Sequence, residues 1–331
     1  MYKNFLRYII SVLFFLGVSG QANADFKVGF VYVGPTGDHG WTYQHDEGRK
    51  AVEAAGIKTT YVESVPEGAD AERVIRQLAQ SGHDLIFTTS FGYMDPTNKV
   101  AKDFPNVKFE HATGYKREHS NVSTYSARFY EGRTLLGHMA GKMTKTNVIG
   151  YIASFPIPEV IRGINAFATG VKEVNPDATV EVVWTFTWFG PEEETQAANA
   201  LLETGADVLA QHQDSPSTGI AAEAAGAKWI SYNTAYGKDA APGAFVTAPV
   251  WAWGPYYVEV VESIVNGEFE AEAYWGGMET GLVSLYELSS DVPSNVADLI
   301  SQRTDEIIAG SFDPPIVEEE FIDNVIGTVN P

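Results

Sequence analysis

The chain contains no cysteine in its 331 residues. That absence excludes disulfides, thiolate metal sites, cysteine nucleophiles and a lipid-bearing cysteine at a processed N-terminus. Basic residues are scarce: 22 against 43 acidic, for a net charge of −21. So acidic a surface repels nucleic acid and anionic membranes, and neither is expected as a partner. The seven histidines show no H-x-x-x-H or similar spacing, so no metal site is expected. There is no G-x-S-x-G elbow and no P-loop. The glycine-rich stretch from Gly34 to Gly40 matches neither phosphate-binding pattern and lacks the lysine that would accompany it. No cofactor, phosphate or nucleotide is therefore expected. The acidity does not signal disorder, because 44% of residues are hydrophobic and 12% aromatic.

What is present begins with an address. Lys3 and Arg7 precede an apolar run from Tyr8 to Val18, and Gln21-Ala22-Asn23-Ala24 offers a small-x-small cleavage site. This is the layout of a secretory signal peptide over residues 1–24, with an apolar core short for a membrane span. An uncleaved anchor is the alternative. No later stretch approaches spanning length, so a periplasmic protein beginning at Asp25, without lipid, is expected.

The remainder alternates strand and helix signals. Strands are expected over 26–33, 59–62, 84–89 and 107–111, with helices over 41–55, 69–81 and 96–104 between them. The pattern then repeats, with strands over 147–152, 179–184, 207–211 and 228–232 and helices over 129–143, 160–174, 191–203 and 218–225. A helix over 253–265, a strand over 282–287 and a helix over 294–308 follow, expected to complete both sheets by crossing back over a hinge. The order argues for an α/β protein with two doubly wound parallel sheets. Its length exceeds what one core usually serves. One lobe is expected over 25–126 plus about 251–285, the other over 127–250 plus about 286–331.

Open α/β sheets bind ligands beyond the carboxyl ends of their strands. Two such lobes face to face place a cleft there. Residues following the strands include Trp41, Phe91, Tyr93, Phe155, Trp188 and Tyr236, with Trp251 and Trp253 nearby. Aromatics on loops offer flat faces for a ring-shaped ligand, and core packing is their alternative fate. The polar candidates are Asp38, Gln211, Asp214, Asn233 and Arg128, suited to the edge of a purine. Asp38 could instead serve its turn, and Asp214 could cap the helix after Pro216. His212, Asp214 and Ser215 lie close in sequence, but closeness alone does not build a catalytic triad.

Five stretches carry a resemblance. They are Val28 to Thr42, Thr187-Trp188-Phe189-Gly190-Pro191, Gln211-His212-Gln213-Asp214-Ser215-Pro216, Ser231-Tyr232-Asn233-Thr234 and Ala248 to Tyr257. In this order they resemble the basic membrane protein family of importer binding proteins, over nearly the whole chain after the leader. The resemblance implies a type I periplasmic-binding-protein fold with a hinge and central cleft. It also implies a purine base or nucleoside as ligand and the permease of an ABC importer as partner. Ribose-binding relatives would be expected to set an acidic residue and a lysine against the sugar, and the lysine nearest the site is Lys238. The aromatic content favours a free base (adenine, guanine, hypoxanthine or xanthine). A nucleoside or sugar receptor is the alternative, and a cleft hydrolase the third reading. The ligand set expected is Asp38, Trp41, Phe91, Tyr93, Arg128, Phe155, Trp188, Gln211, Asp214, Asn233 and Trp253, in a monomeric protein with no catalytic residues.

Overall fold

The structure, a computed structural model, describes residues 26–233, 236–316 and 326–328. The expected leader, 1–24, lies outside them. The first half winds as β1 (Lys27–Val31), α1 (Trp41–Ala54), β2 (Lys58–Val62), α2 (Ala69–Gln80), β3 (Leu85–Thr88), α3 (Met94–Asp103), β4 (Lys108–Ala112) and β5 (Val122–Ala127). The second half winds as α4 (Phe129–Met143), β6 (Val148–Ala153), α5 (Pro158–Val174), β7 (Thr179–Trp184), α6 (Pro191–Glu203), β8 (Val208–His212), α7 (Ser217–Ala225), β9 (Lys228–Ile230), β10 (Phe245–Thr247) and β11 (Pro249–Trp251). The chain ends through α8 (Trp253–Val265), β12 (Ala273–Gly276), β13 (Val283–Leu285), α9 (Ser294–Ile308) and β14 (Ile326–Thr328).

Two six-stranded sheets result, ordered β12-β5-β4-β3-β1-β2 and β10-β9-β8-β6-β7-β14. Every described pairing within them is parallel. Parallel strands are covered on both faces, which is why β3 and β8 are buried at every position. The helices are amphipathic to match: α2 buries Ala71, Val74, Ile75, Leu78 and Ala79 against its sheet. Pro191 opens α6 and Glu192, Glu193 and Glu194 fill its first turn, where the helix dipole favours them. Helices α4 and α5 touch through backbone. A Cβ on Gly137 would lie 2.9 Å from the Phe167 carbonyl carbon, and one on Gly170 3.1 Å from that of Thr134.

The late elements depart from expectation. The strand expected over 282–287 joins neither large sheet; as β13 it pairs antiparallel with β11 in a two-stranded sheet. The elements that extend the large sheets are β12, beside β5, and β14, beside β7. Strands β5, β10, β11, β12 and β14 are additional to those read from the sequence.

The chain passes between the sheets three times: at Arg128, at Ala252, and over 277–282. The crossings are tied together. Arg128 Nη1 donates to the Trp275 carbonyl at 2.8 Å and Nε to Glu131 at 2.6 Å. Glu131 accepts the Met278 N–H at 2.7 Å, and Ala252 N–H donates to the Leu282 carbonyl at 2.8 Å.

Candidate functional site

A narrow cavity lies between the carboxyl ends of the two sheets. Val33, Trp41, Ser90, Phe91 and Thr113 line it from the first lobe. Ile157, Glu159, Trp188, His212, Asp214 and Tyr232 line it from the second.

The first wall is built around Trp41. Asp38, buried in the loop after β1, accepts N–H groups from Gly40, Thr42 and Tyr43, each at 2.9 Å, and so fixes the start of α1. Trp41 Nε1 donates to the Thr89 carbonyl at 2.6 Å. Its ring stands edge-on to His45, Phe129 and Trp253 at 4.5–6.1 Å. His45 stacks on Trp253 at 4.9 Å and bonds the Tyr257 hydroxyl through Nδ1. Trp253 therefore backs Trp41 without lining the cavity.

The second wall holds the ionisable groups. Glu194 is buried beneath the loop after β8, accepting the Gly190 and Ser215 N–H groups at 3.2 and 3.3 Å and the Ser215 hydroxyl at 2.7 Å. Gln211 Nε2 donates to the Gln213 and Ser215 carbonyls at 2.7 and 3.0 Å. The loop so held carries Asp214, whose Oδ1 accepts the Trp41 N–H across the cleft at 2.7 Å. It makes no side-chain cap on α7, the alternative left open by the sequence. Deeper in the wall, Tyr232 Oη sits 3.0 Å from His212 Nε2, and Glu159 Oε1 lies 3.6 Å from that same nitrogen. The buried Arg133 guanidinium stacks over the Tyr232 ring at 4.9 Å and donates to the Gln211 carbonyl at 3.0 Å.

Burial governs the charges. It raises the Asp214 carboxyl well above its ordinary range, and nearby Asp38 adds to the rise. Asp38 is raised by burial too, against the pull of its three N–H bonds. Glu159 is pushed up to about 7 by burial, opposed by Arg162 and Arg133. His212 is held well below the usual imidazole value by burial and by Arg133, so it is neutral.

Of the residues expected from the sequence, the structure brings Trp41, Phe91, Trp188 and Asp214 to the cavity wall. Phe155 packs on Trp188 at 5.0 Å, and Asp38 and Gln211 support the loops. Tyr93 is buried behind the first wall with its hydroxyl on the Val65 carbonyl at 2.5 Å. Arg128 is engaged in the crossings, beside Glu131 and Glu279. Asn233 is fully buried in the left-handed region, φ 64°, and does not line the cavity. Glu159, Tyr232 and Thr113 were missed: Glu159 stands in the first turn of α5, the end of β4 was read one residue short, and Tyr232 was read as the last residue of a strand that ends at Ile230. His212 was in view as a triad suspect. The geometry separates that trio, because Ser215 bonds Glu194, Asp214 bonds Trp41 N–H and His212 faces Tyr232. Among the described residues no cluster of His, Asp or Glu could hold a metal, and no helix is long and apolar enough to cross a membrane.

The site and fold have counterparts. A family model described as ABC transporter substrate-binding protein PnrA-like matches residues 26–311. A purine-binding protein of Brucella abortus is 48% identical over 91% of this chain and 86% of its own. A Haloferax volcanii protein named "Putative ABC transporter glucose-binding protein" is 44% identical over 86% of this chain and 72% of its own. The solved ABC solute-binding protein of Aeropyrum pernix superposes with a TM-score of 0.77 at 20% identity, over 88% of this chain and 94% of that one.

Proposed function

The chain belongs to the PnrA-like family of ABC transporter substrate-binding proteins and has the type I periplasmic-binding-protein fold, and from that premise we propose that its ligand is a purine-type base. Proteins of this class bind a small molecule and deliver it to a membrane permease. The observation that carries the purine reading is one small cavity lined by an indole from each lobe, Trp41 and Trp188, together with the carboxyls of Glu159 and Asp214. Stacking a base on an aromatic ring is worth about 1–3 kcal/mol. Glu159 and Asp214 suit ring N–H and amino groups, while the neutral His212 and the Tyr232 hydroxyl can complete an edge that mixes donors and acceptors. No lysine or arginine lines the cavity, which disfavours phosphorylated ligands. The name of the Brucella relative supports the same class.

The name of the Haloferax relative favours a second reading, a sugar such as glucose. Against it, six of the eleven lining residues are aliphatic or aromatic, which leaves Ser90, Thr113, Glu159, His212, Asp214 and the Tyr232 hydroxyl to pair with all the hydroxyls of a hexose. We propose further that the leader 1–24 sends the protein to the periplasm without a lipid, and that it works there as a monomer whose two lobes close on the base without turning it over. Mass spectrometry of molecules released from the denatured protein is expected to find a purine. Calorimetry against adenine, guanine, hypoxanthine, xanthine, their nucleosides and glucose should rank the free bases first. Tightest binding to glucose overturns the reading.

A further inference from the structure

Beside the cavity, residues 39–43 of the first lobe lie against the second. Trp41 N–H donates to Asp214 Oδ1 at 2.7 Å. One residue earlier, Gly40 lies directly against the Asp214 backbone. A Cβ built on Gly40 would be 2.7 Å from Asp214 Cα and 2.7 Å from its Cβ, and closer still to Oδ1. Real Cβ atoms do not approach backbone so closely, so the juxtaposition requires glycine. On either side, Tyr236 of the second lobe stacks on His39 at 4.5 Å, interplanar 18°, and leans on Tyr43 at 5.6 Å. Neither Gly40 nor Tyr236 lines the cavity. These contacts are made by protein alone.

We propose that residues 39–43 and the Asp214–Tyr236 face form a clasp that closes the lobes without ligand, with Gly40 as the positioning residue that permits it. The closed cavity is then a state the empty protein already visits, and the ligand selects it. Closure driven only by ligand bridging would leave the empty lobes apart. The clasp also uses one acceptor position of Asp214 Oδ1, which leaves Oδ2 the freer oxygen for a ligand. The proposal does not depend on which small molecule is bound.

The absence of native cysteine makes the test direct. Spin labels on Arg117→Cys and Glu192→Cys, at exposed cleft-side positions of opposite lobes, report lobe separation by pulsed electron resonance in the ligand-free protein. The parent is expected to show a short-distance population that Gly40→Ala abolishes. Gly37→Ala, in the same loop where a Cβ meets nothing within 4 Å, should leave it unchanged. Tyr236→Ala removes the stack without adding atoms, and should at least halve that population even if Gly40→Ala folds poorly. Affinity for the tightest ligand found by calorimetry should fall at least tenfold in Gly40→Ala. A ligand-free parent with only the long distance overturns the proposal, as does a short-distance population that survives both Gly40→Ala and Tyr236→Ala. Failure of the purine reading would appear in the ligand ranking and leave these distances untouched.

Discussion

The two walls of the cavity are made on the same plan and carry different chemistry. Both are loops at the carboxyl ends of parallel strands, and each presents an indole. The first wall has no ionisable lining residue; its polar groups are the hydroxyls of Ser90 and Thr113. The second has Glu159, His212, Asp214 and Tyr232. The indoles differ as well. Trp41 is hydrogen-bonded through Nε1 and wedged among His45, Phe129 and Trp253, so it belongs to the core as much as to the site. Trp188 rests on Phe155, and its Nε1 has no partner among the described residues. The first lobe presents a fixed surface, and the second presents the ionisable groups.

The sharpest way to break this contrast is to remove each indole. Trp41→Ala should cost stability and binding together, with unfolding free energy lower by about 3 kcal/mol, as for a well-packed aromatic. Trp188→Ala should leave the ligand-free thermal midpoint nearly unchanged and weaken binding at least tenfold, about 1.4 kcal/mol. Equal effects on the ligand-free midpoint would show that the walls are not distinct in this sense. A smaller effect is expected at Glu159. Glu159→Gln should weaken the preferred base several-fold and flatten the pH dependence of binding near 7, while Ser90→Ala on the first wall changes affinity without changing that pH dependence.

Stability against pH gives a weaker but separable contrast. In the second lobe, burial pushes Glu159 and Glu194 up to about 7; in the first, it pushes Glu110 up to about 8, where Tyr256 Oη bonds it at 2.8 Å. A carboxyl raised in the fold binds its proton more tightly folded than unfolded. Its contribution is complete below the ordinary value of 4.5 and is lost as pH rises through the raised one. These carboxyls pull the ligand-free midpoint down between pH 5 and 8, while the buried histidines, held below the imidazole value of 6.5, pull it up as pH rises toward that value; Glu194→Gln and Glu110→Gln should each remove part of the downward pull, Glu110→Gln up to the higher pH. A midpoint profile that neither substitution alters contradicts the assignment. The smallest effect belongs to Phe155→Leu, which only loosens the support of Trp188 and should cost less than about threefold in affinity.

The doubly wound order was legible because buried parallel strands read as short apolar runs between amphipathic helices, and α4, α6, α8 and α9 fall where periodicity and caps put them. Strand β5, Val-Ser-Thr-Tyr-Ser-Ala, has no such signature; neighbouring strands bury its hydroxyls. Strands of three or four residues such as β10 to β12 are set by pairing, which local sequence does not encode. The site divided similarly. Strand-end loops pointed to Trp41, Phe91, Trp188 and Asp214. Glu159 sits inside a helix, where an acid in the first turn looks like dipole compensation. Arg128, just after β5, was drawn into the crossings by Glu131 and Glu279, which no local pattern announces.

The three tied crossings have a consequence for how the molecule survives damage. Each lobe is assembled from segments on both sides of a crossing, so no single cut of the backbone divides one lobe from the other. A protease that nicks one crossing leaves two covalent bridges, braced by the Arg128–Glu131 pair and the β11–β13 pairing. The nicked chain would still hold its two halves in register. In a compartment exposed to stray proteolysis, such a receptor loses its sequence continuity before it loses its architecture.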